Sequence, residues 1–255
     1  MKIALFQTSL VWENPKANRT FIEEHFMNEE VSFDLFVLPE MFSSGFTMHP
    51  KRVAETMNGE TITWMKSLAL MKNCAICGSL VIAENNVYHN RFVFVHPNGV
   101  IDFYDKRHLF SLAGEPDQYE KGISKTIINY KGWKICPQVC YDLRFPAFSR
   151  NHENYDLLLY VANWPKVRIM AWDVLLKARA IENLCYTIGV NRIGTDKNNH
   201  QYSGHSQVID ELGNVILDAE DDLGIFIINI DKEKMLETRK MLNFLNDRDA
   251  FDIKN

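Results

Sequence analysis

Features that would mark a membrane or nucleic-acid-binding protein are missing from this chain. No stretch of about 18 apolar residues occurs, so we expect no membrane-spanning helix. No run of lysine and arginine occurs, and the formal net charge is -5, which argues against a protein that binds nucleic-acid phosphates. The apolar run at the N-terminus is too short for a signal peptide, and we interpret it as a first strand.

Cysteine is also scarce, with five in the chain. Five is an odd number and too few for a disulfide framework, so a reducing cytoplasm is the simplest compartment. Cys74 and Cys77 form a CxxC pair, but the pair precedes a strand-like segment instead of opening a helix, which argues against a redox motif. No second CxxC, no metal-ligand spacing among the histidines and no glycine-rich phosphate loop occurs, so we expect neither a metal nor a cofactor.

Strand and helix patterns alternate along the whole chain, without a linker or a repeat. We therefore expect a single domain over residues 1–255, with hairpins among βα units and mixed sheets in an α/β fold. Loops are predicted over residues 42–60, 111–122 and 194–199. Helices are predicted from Pro15 to about Glu30, over residues 61–72, 146–153 and 167–184, and from about residue 231, where Asp231 is the expected cap. Strands are predicted over residues 2–8, 35–39, 75–83, 87–96, 101–106, 126–130, 133–139, 157–162, 186–191, 206–210, 215–217 and 225–230.

Three of the predicted strands end directly at a reactive side chain, namely Glu40, Lys106 and Cys140. Strands that end in titratable groups can bring those groups together at one edge of a sheet. A cysteine nucleophile requires a base, which a glutamate can supply, and its tetrahedral intermediate requires a donor such as a lysine. Taken one at a time, Cys140 is equally compatible with a buried core residue, and the other two with surface residues at strand ends. His108 is a further candidate partner for Cys140, but its position off the strand end favours a structural role.

Three segments resemble the signatures of the nitrilase superfamily of carbon–nitrogen hydrolases, and they occur in the same order. They are LPEMFSSGF at residues 38–46, YDKRHLF at 104–110 and VCYDLRFP at 139–146. Glu115 followed by Gly122, YVANW at residues 160–164 and RAIEN at 179–183 extend the resemblance over nearly the whole chain.

The resemblance implies a four-layer α-β-β-α sandwich with mixed sheets, which usually pairs into a homodimer. It also implies that Cys140 is the nucleophile, Glu40 the general base and Lys106 the group that stabilises the tetrahedral intermediate. The backbone N–H of Tyr141 would be the second oxyanion donor. Glu115 would help to position Lys106 and the substrate.

Within the superfamily, the sequence looks most like the bacterial omega-amidases. These enzymes release ammonia from the terminal amide of 2-oxoglutaramate and 2-oxosuccinamate. Such small anionic substrates require a cation in the pocket, for which Arg144 and Arg168 are equal candidates. Phe46 and Trp164 either wall this pocket or are ordinary core aromatics. The alternatives are an amidase for deaminated glutathione, a nitrile or an N-carbamoyl amine, or a non-catalytic binding or scaffold member.

Overall fold

The computed structural model describes residues 1–253, and two six-stranded mixed sheets dominate it. The predicted single domain extends to residue 255, so its last two positions lie outside the described residues. The strands are β1 (Lys2–Gln7), β2 (Leu35–Val37), β3 (Ala75–Glu84), β4 (Val87–Val95), β5 (Ile101–Asp105), β6 (Ile128–Tyr130), β7 (Trp133–Val139), β8 (Leu157–Ala162), β9 (Tyr186–Asn191), β10 (Ile193–Thr195), β11 (Gln201–Ser203), β12 (Gln207–Ile209), β13 (Val215–Asp218) and β14 (Gly224–Asn229).

The two large sheets share one design, with parallel strands at the centre and antiparallel strands outside. The first has the order β14-β1-β2-β3-β4-β5, in which β1, β2 and β3 are parallel neighbours. The second has the order β13-β12-β9-β8-β7-β6, in which β7, β8 and β9 are parallel neighbours. The antiparallel pair β10 and β11 forms a small separate sheet.

Strand alternation divides the apolar residues among three layers of core. In β2, Leu35 and Val37 join Leu157 and Leu159 of β8 in the layer between the sheets. Phe36 points to the opposite face and packs with the helices on the first sheet. Because side chains alternate along a strand, one buried strand serves two layers.

Residues 1–253 contain five α-helices: α1 (Pro15–Asn28), α2 (Glu60–Lys72), α3 (Pro146–Ser149), α4 (Ile169–Asn183) and α5 (Lys232–Leu242). Helices α1 and α2 lie on the first sheet, and α4 lies on the second. The predicted four-layer α-β-β-α sandwich is therefore confirmed. The predicted C-terminal helix is also confirmed, and the Asp231 side chain caps it by accepting a hydrogen bond from Lys234 N at 3.3 Å.

One prediction of local structure was wrong, and another was wrong in part. The helix predicted over residues 146–153 ends at Ser149, because Asn151 leaves the helical path and hydrogen-bonds Tyr155 and Asn183. In the loop predicted over residues 194–199, the first two residues belong to β10, and the rest form the turn in the hairpin of β10 and β11. In that hairpin the Asp196 carboxylate accepts hydrogen bonds from the backbone N–H groups of the turn.

Within residues 1–253, no helix is long and apolar enough to cross a bilayer.

Candidate active site

The four residues expected to be catalytic lie in contact at one end of the two sheets. Glu40 follows β2, Lys106 follows β5, Cys140 follows β7, and Glu115 lies in a 3-10 turn at Glu115–Asp117. The Lys106 Nζ is 2.9 Å from Glu40 Oε1, and 3.0 and 2.9 Å from the two carboxylate oxygens of Glu115. All three of these charged side chains are buried, so their charges are compensated by one another instead of by water.

Cys140 begins a 3-10 turn, Cys140–Arg144, and its backbone φ is 45°, a conformation that non-glycine residues rarely adopt. Two contacts hold this turn in place. The buried Asp142 carboxylate accepts hydrogen bonds from Val139 N at 2.9 Å and from the Tyr104 hydroxyl at 2.8 Å. Arg179 of α4 donates to the Leu143 carbonyl at 2.6 Å. The sharp turn thus presents the sulfur at the end of β7.

Burial and charge set the protonation of the site. Burial and the Glu40 carboxylate raise the pKa of the Cys140 thiol well above its ordinary value, and Lys106 offsets this only in part. The neutral thiol shares a hydrogen bond with Glu40. Burial lowers the pKa of Lys106, but Glu115 and Glu40 more than compensate and raise it, so Lys106 is an ammonium. Burial and Glu40 raise the pKa of Glu115 despite the nearby Lys106.

Two asparagines complete the site, and the sequence analysis gave neither of them a role. The backbone N–H of Asn163, which follows β8, donates to Glu40 Oε2 at 2.8 Å, and its Nδ2 donates to the Glu40 carbonyl at 2.6 Å. Asn90, inside β4, donates from Nδ2 to Glu40 Oε1 at 2.8 Å and to Glu115 Oε1 at 3.2 Å. The only signal for Asn90 in the sequence is an asparagine inside a predicted strand, two residues before the apolar run over residues 92–95.

A cavity of about 400 Å³ opens beside Cys140 and Lys106. All five residues predicted to bind substrate line it: Phe46, Tyr141, Arg144, Trp164 and Arg168.

Two arginine side chains of this cavity each lie over an aromatic ring. The Arg144 guanidinium lies 4.9 Å from the centre of the Trp164 ring, and that of Arg168 lies 5.3 Å from the centre of the Phe110 ring. Within residues 1–253, neither arginine forms an ion pair with a carboxylate. By contrast, Arg52 on the same cavity is paired with Glu13 at 3.0 Å. The cavity therefore offers the unpaired guanidinium groups of both arginines to an anionic ligand.

The hairpin of β10 and β11 supplies a further wall, with the lining residues Asp196, Lys197, Asn198, His200 and Tyr202. The Tyr202 hydroxyl donates to Asp196 Oδ2 at 2.9 Å. Burial raises the pKa of Asp196, but its hydrogen bonds to the turn more than offset this and lower the pKa below its ordinary value. The sequence analysis missed this wall because the polar composition of the segment predicted a loop.

His108 contacts Asp142 and not Cys140. Its Nδ1 lies 2.7 Å from Asp142 Oδ1, and its ring stacks on Phe145 with centroids 3.8 Å apart. The predicted structural role of His108 is consistent with these contacts. Over residues 1–253, no group of three histidine, cysteine or acidic side chains is arranged to hold a metal ion.

An α-β-β-α sandwich with a cysteine at the end of one strand, beside a buried lysine and two buried glutamates, defines the class of nitrilase-like hydrolases. The model of the carbon–nitrogen hydrolase family matches residues 2–240, so the chain belongs to that family. An omega-amidase of Yersinia enterocolitica, YafV, is 42% identical, with 98% of each chain covered. A 2-oxoglutaramate amidase of Bacillus subtilis is 31% identical, with 92% of this chain and 91% of the relative covered. The crystal structure of XC1258 from Xanthomonas campestris, a CN-hydrolase superfamily protein, superimposes with a TM-score of 0.97 at 38% identity, covering 100% of this chain and 99% of that one.

Proposed function

We propose that this protein is an omega-amidase that releases ammonia from the terminal amide of 2-oxoglutaramate and 2-oxosuccinamate. The observation that carries the proposal is the Cys140 thiol, hydrogen-bonded to Glu40 beside Lys106, on a cavity with two unpaired arginines. Similarity to an omega-amidase and to a 2-oxoglutaramate amidase over nearly their full lengths supports the same substrate class.

The chemistry follows from the protonation of the site. Cys140 gives its proton to Glu40 as the sulfur attacks the amide carbon. The Lys106 ammonium and the Tyr141 backbone N–H stabilise the oxyanion, and Glu115 holds Lys106 in place. Glu40 then passes the proton to the departing nitrogen, which leaves as ammonia and a thioester remains on Cys140. Glu40 finally removes a proton from a water molecule, which hydrolyses the thioester to the acid and restores the thiol.

The arginines match the other end of the substrate. A 2-oxo dicarboxylic monoamide carries its carboxylate at the end opposite the amide, and guanidinium groups bind carboxylates through two parallel hydrogen bonds. We assign this carboxylate to Arg144 and Arg168 together. The rings of Phe46 and Trp164 would enclose the short carbon chain between the two ends.

We also propose that two copies associate through α4. Met170, Val174 and Ile181 of this helix are 78%, 60% and 53% exposed, and a second copy would cover such an apolar face. Light scattering of the purified protein tests the assembly, and a monomer would contradict it.

We further propose a cytoplasmic location, because the five free cysteines are consistent with a reducing compartment.

Ammonia release from a substrate panel tests the activity. The panel contains 2-oxoglutaramate, 2-oxosuccinamate, deaminated glutathione, a nitrile, an N-carbamoyl amine and an omega-amide without a carboxylate. We expect the two 2-oxo amides to rank first and Cys140→Ala to be inactive. If another substrate class ranks far above them, the omega-amidase assignment is wrong, and if Cys140→Ala retains activity, the mechanism is wrong.

Arginine variants test the carboxylate site. Each of Arg144→Ala and Arg168→Ala should lower kcat/KM for 2-oxoglutaramate by about 10- to 100-fold, because a charge-assisted hydrogen bond contributes about 1.5–3 kcal/mol. The loss should fall mainly on KM, and the amide without a carboxylate should be hydrolysed as before. Arg52→Ala is the matched control, since Arg52 lines the cavity but is already paired with Glu13. Equal losses for all three variants would contradict the assignment.

A further inference from the structure

Asn90 lies directly behind the two glutamates of the site. It is fully buried in the middle of β4 and lies outside the lining of the cavity, so a substrate does not touch it. Its Nδ2 is 2.8 Å from Glu40 Oε1 and 3.2 Å from Glu115 Oε1. The two N–H bonds of one neutral amide thus connect both carboxylates.

Hydrogen bonding fixes the orientation of the Asn90 amide. The Ser79 hydroxyl accepts a hydrogen bond from Met41 N at 2.9 Å, and it donates to Asn90 Oδ1 at 2.8 Å. A flipped amide would place Oδ1 against two carboxylates, and it would face the hydrogen of the Ser79 hydroxyl with Nδ2, which is a donor and not an acceptor. A single chain of donors therefore runs from the backbone of Met41, through Ser79 and Asn90, to the glutamates.

The same series of hydrogen bonds supports the backbone that carries Glu40. Met41 follows Glu40 and has a φ of 44°, in the left-handed region that a side chain with a Cβ disfavours. The Ser79 backbone carbonyl also accepts from Phe42 N at 3.2 Å. Ser79 and Asn90 consequently fix both the turn after Glu40 and the carboxylate of Glu40.

The number of N–H donors around the two glutamates shows what Asn90 contributes to the site. Lys106 has three N–H bonds, and it contacts one oxygen of Glu40 and both oxygens of Glu115. If one N–H is shared by the two oxygens of Glu115 and one goes to Glu40, the third remains for the cavity, which Lys106 lines. Asn90 makes this division possible, because it gives Glu40 Oε1 and Glu115 Oε1 a second donor each.

We propose that Asn90 is a positioning residue that holds Glu40 and Glu115 around one lysine, so that Lys106 keeps an N–H for the oxyanion and Glu40 faces Cys140. The proposal rests on the amide hydrolysis proposed above. It adds a neutral donor to the site, which satisfies both carboxylates without adding a charge to compete with that of Lys106.

Two substitutions at Asn90 and one matched control test this role. Asn90→Ala removes both N–H donors. Asn90→Asp keeps the shape but replaces the donors with an acceptor. The control is Asn151→Ala, because Asn151 is equally buried and its Nδ2 also makes two hydrogen bonds, to the carbonyls of Tyr155 at 3.0 Å and Asn183 at 3.2 Å. Asn151 has no contact with the site.

We expect Asn90→Ala to lower kcat about 100-fold with KM unchanged, since small displacements of reacting groups have effects of that order. Alkylation of Cys140 by iodoacetamide, followed by mass spectrometry, should be slower by about 10-fold because Glu40 is less well placed to accept the proton. The activity of Asn90→Asp relative to the wild-type protein should rise as the pH is lowered, because a protonated aspartate again donates a hydrogen bond. Asn151→Ala should lose stability but keep kcat and the alkylation rate.

Two results would overturn the role of Asn90: an Asn90→Ala variant that matches Asn151→Ala in both kcat and alkylation rate, or an Asn90→Asp variant whose relative activity is independent of pH. Failure of the proposed function has a different signature, which is that the unmodified protein releases no ammonia from any omega-amide. The alkylation measurement needs no substrate, so it still separates Asn90→Ala from its control in that case.

Discussion

Replacing Asp142 with asparagine should weaken the turn that presents Cys140. The Asp142 carboxylate is fully buried and accepts four hydrogen bonds. Val139 N and the Tyr104 hydroxyl donate to Oδ2 at 2.9 and 2.8 Å. His108 N and its Nδ1 donate to Oδ1 at 2.9 and 2.7 Å. One carboxylate therefore joins the Cys140 turn to the segment that follows β5 and carries Lys106.

The magnitude follows from the geometry of an amide in this place. If the asparagine Nδ2 takes the place of Oδ2, this donor faces the N–H of Val139. If it takes the place of Oδ1, it faces the N–H of His108. Either orientation leaves one backbone N–H without an acceptor, buried at Val139 or partly buried at His108, which costs about 1–3 kcal/mol, and the charge on the remaining bonds is lost as well. We expect a total of about 2–4 kcal/mol, equivalent to a melting temperature lower by roughly 5–15 °C in a chain of this length. A shift of Cys140 by about 1 Å should reduce kcat about 100-fold.

Thermal unfolding and ammonia release at a temperature where both variants are folded measure the two effects. The control is Asp210→Asn. Asp210 Oδ1 accepts from Leu212 N and Asn214 N, whereas Oδ2 receives only the Asn214 side-chain amide at 2.9 Å. That side chain can rotate, so no backbone N–H is left unpaired, and we expect little loss of stability and none of activity. If Asp142→Asn behaves like this control, or loses stability without losing kcat, the reasoning is refuted.

Two further predictions concern stability. In Gly189→Ala, the new Cβ would lie 2.5 Å from Trp172 Cζ2 and 2.6 Å from Leu176 Cδ1, so these α4 side chains or the helix itself must shift. We expect the free energy of unfolding in urea to fall by about 1–3 kcal/mol, and an unchanged value would contradict this close packing. Burial raises the pKa of Cys74 and of Cys185 to about 12. The unfolded chain therefore loses protons that the folded protein keeps, and stability should fall by about 1.4 kcal/mol per pH unit per thiol from about pH 8.5 to about pH 12. A double alanine variant should show a shallower fall in urea titrations at rising pH, and an equal slope would contradict the prediction.

The strand patterns predicted most of both sheets, because alternation and apolar runs are local properties of the chain. The same local signal identified Glu40, Lys106 and Cys140, since Lys106 and Cys140 directly follow β5 and β7 and Glu40 lies three residues after β2. The hairpin of β10 and β11 escaped prediction because its strands have three residues each and its polar side chains bond within the turn. Pattern alone is a weak guide to such short strands.

The sequence analysis missed the roles of Asn90 and Asn163 for a different reason. Their roles depend on contacts between distant parts of the chain, and no spacing of residues records those contacts. Glu40 bonds Asn90 50 residues away and Asn163 123 residues away.

The sequence by itself determined the α/β class with mixed sheets and the residues that have the chemistry of a thiol hydrolase, and the family resemblance added the four layers. The tertiary structure decided which groups share protons, because a buried carboxylate or ammonium is tolerated only where donors and acceptors from several strands surround it. Lys106 came to lie between two glutamates, the Cys140 thiol beside Glu40, and Arg144 and Arg168 on one cavity without a carboxylate partner. Those states arise from distance and burial, which exist only once the two sheets have packed together.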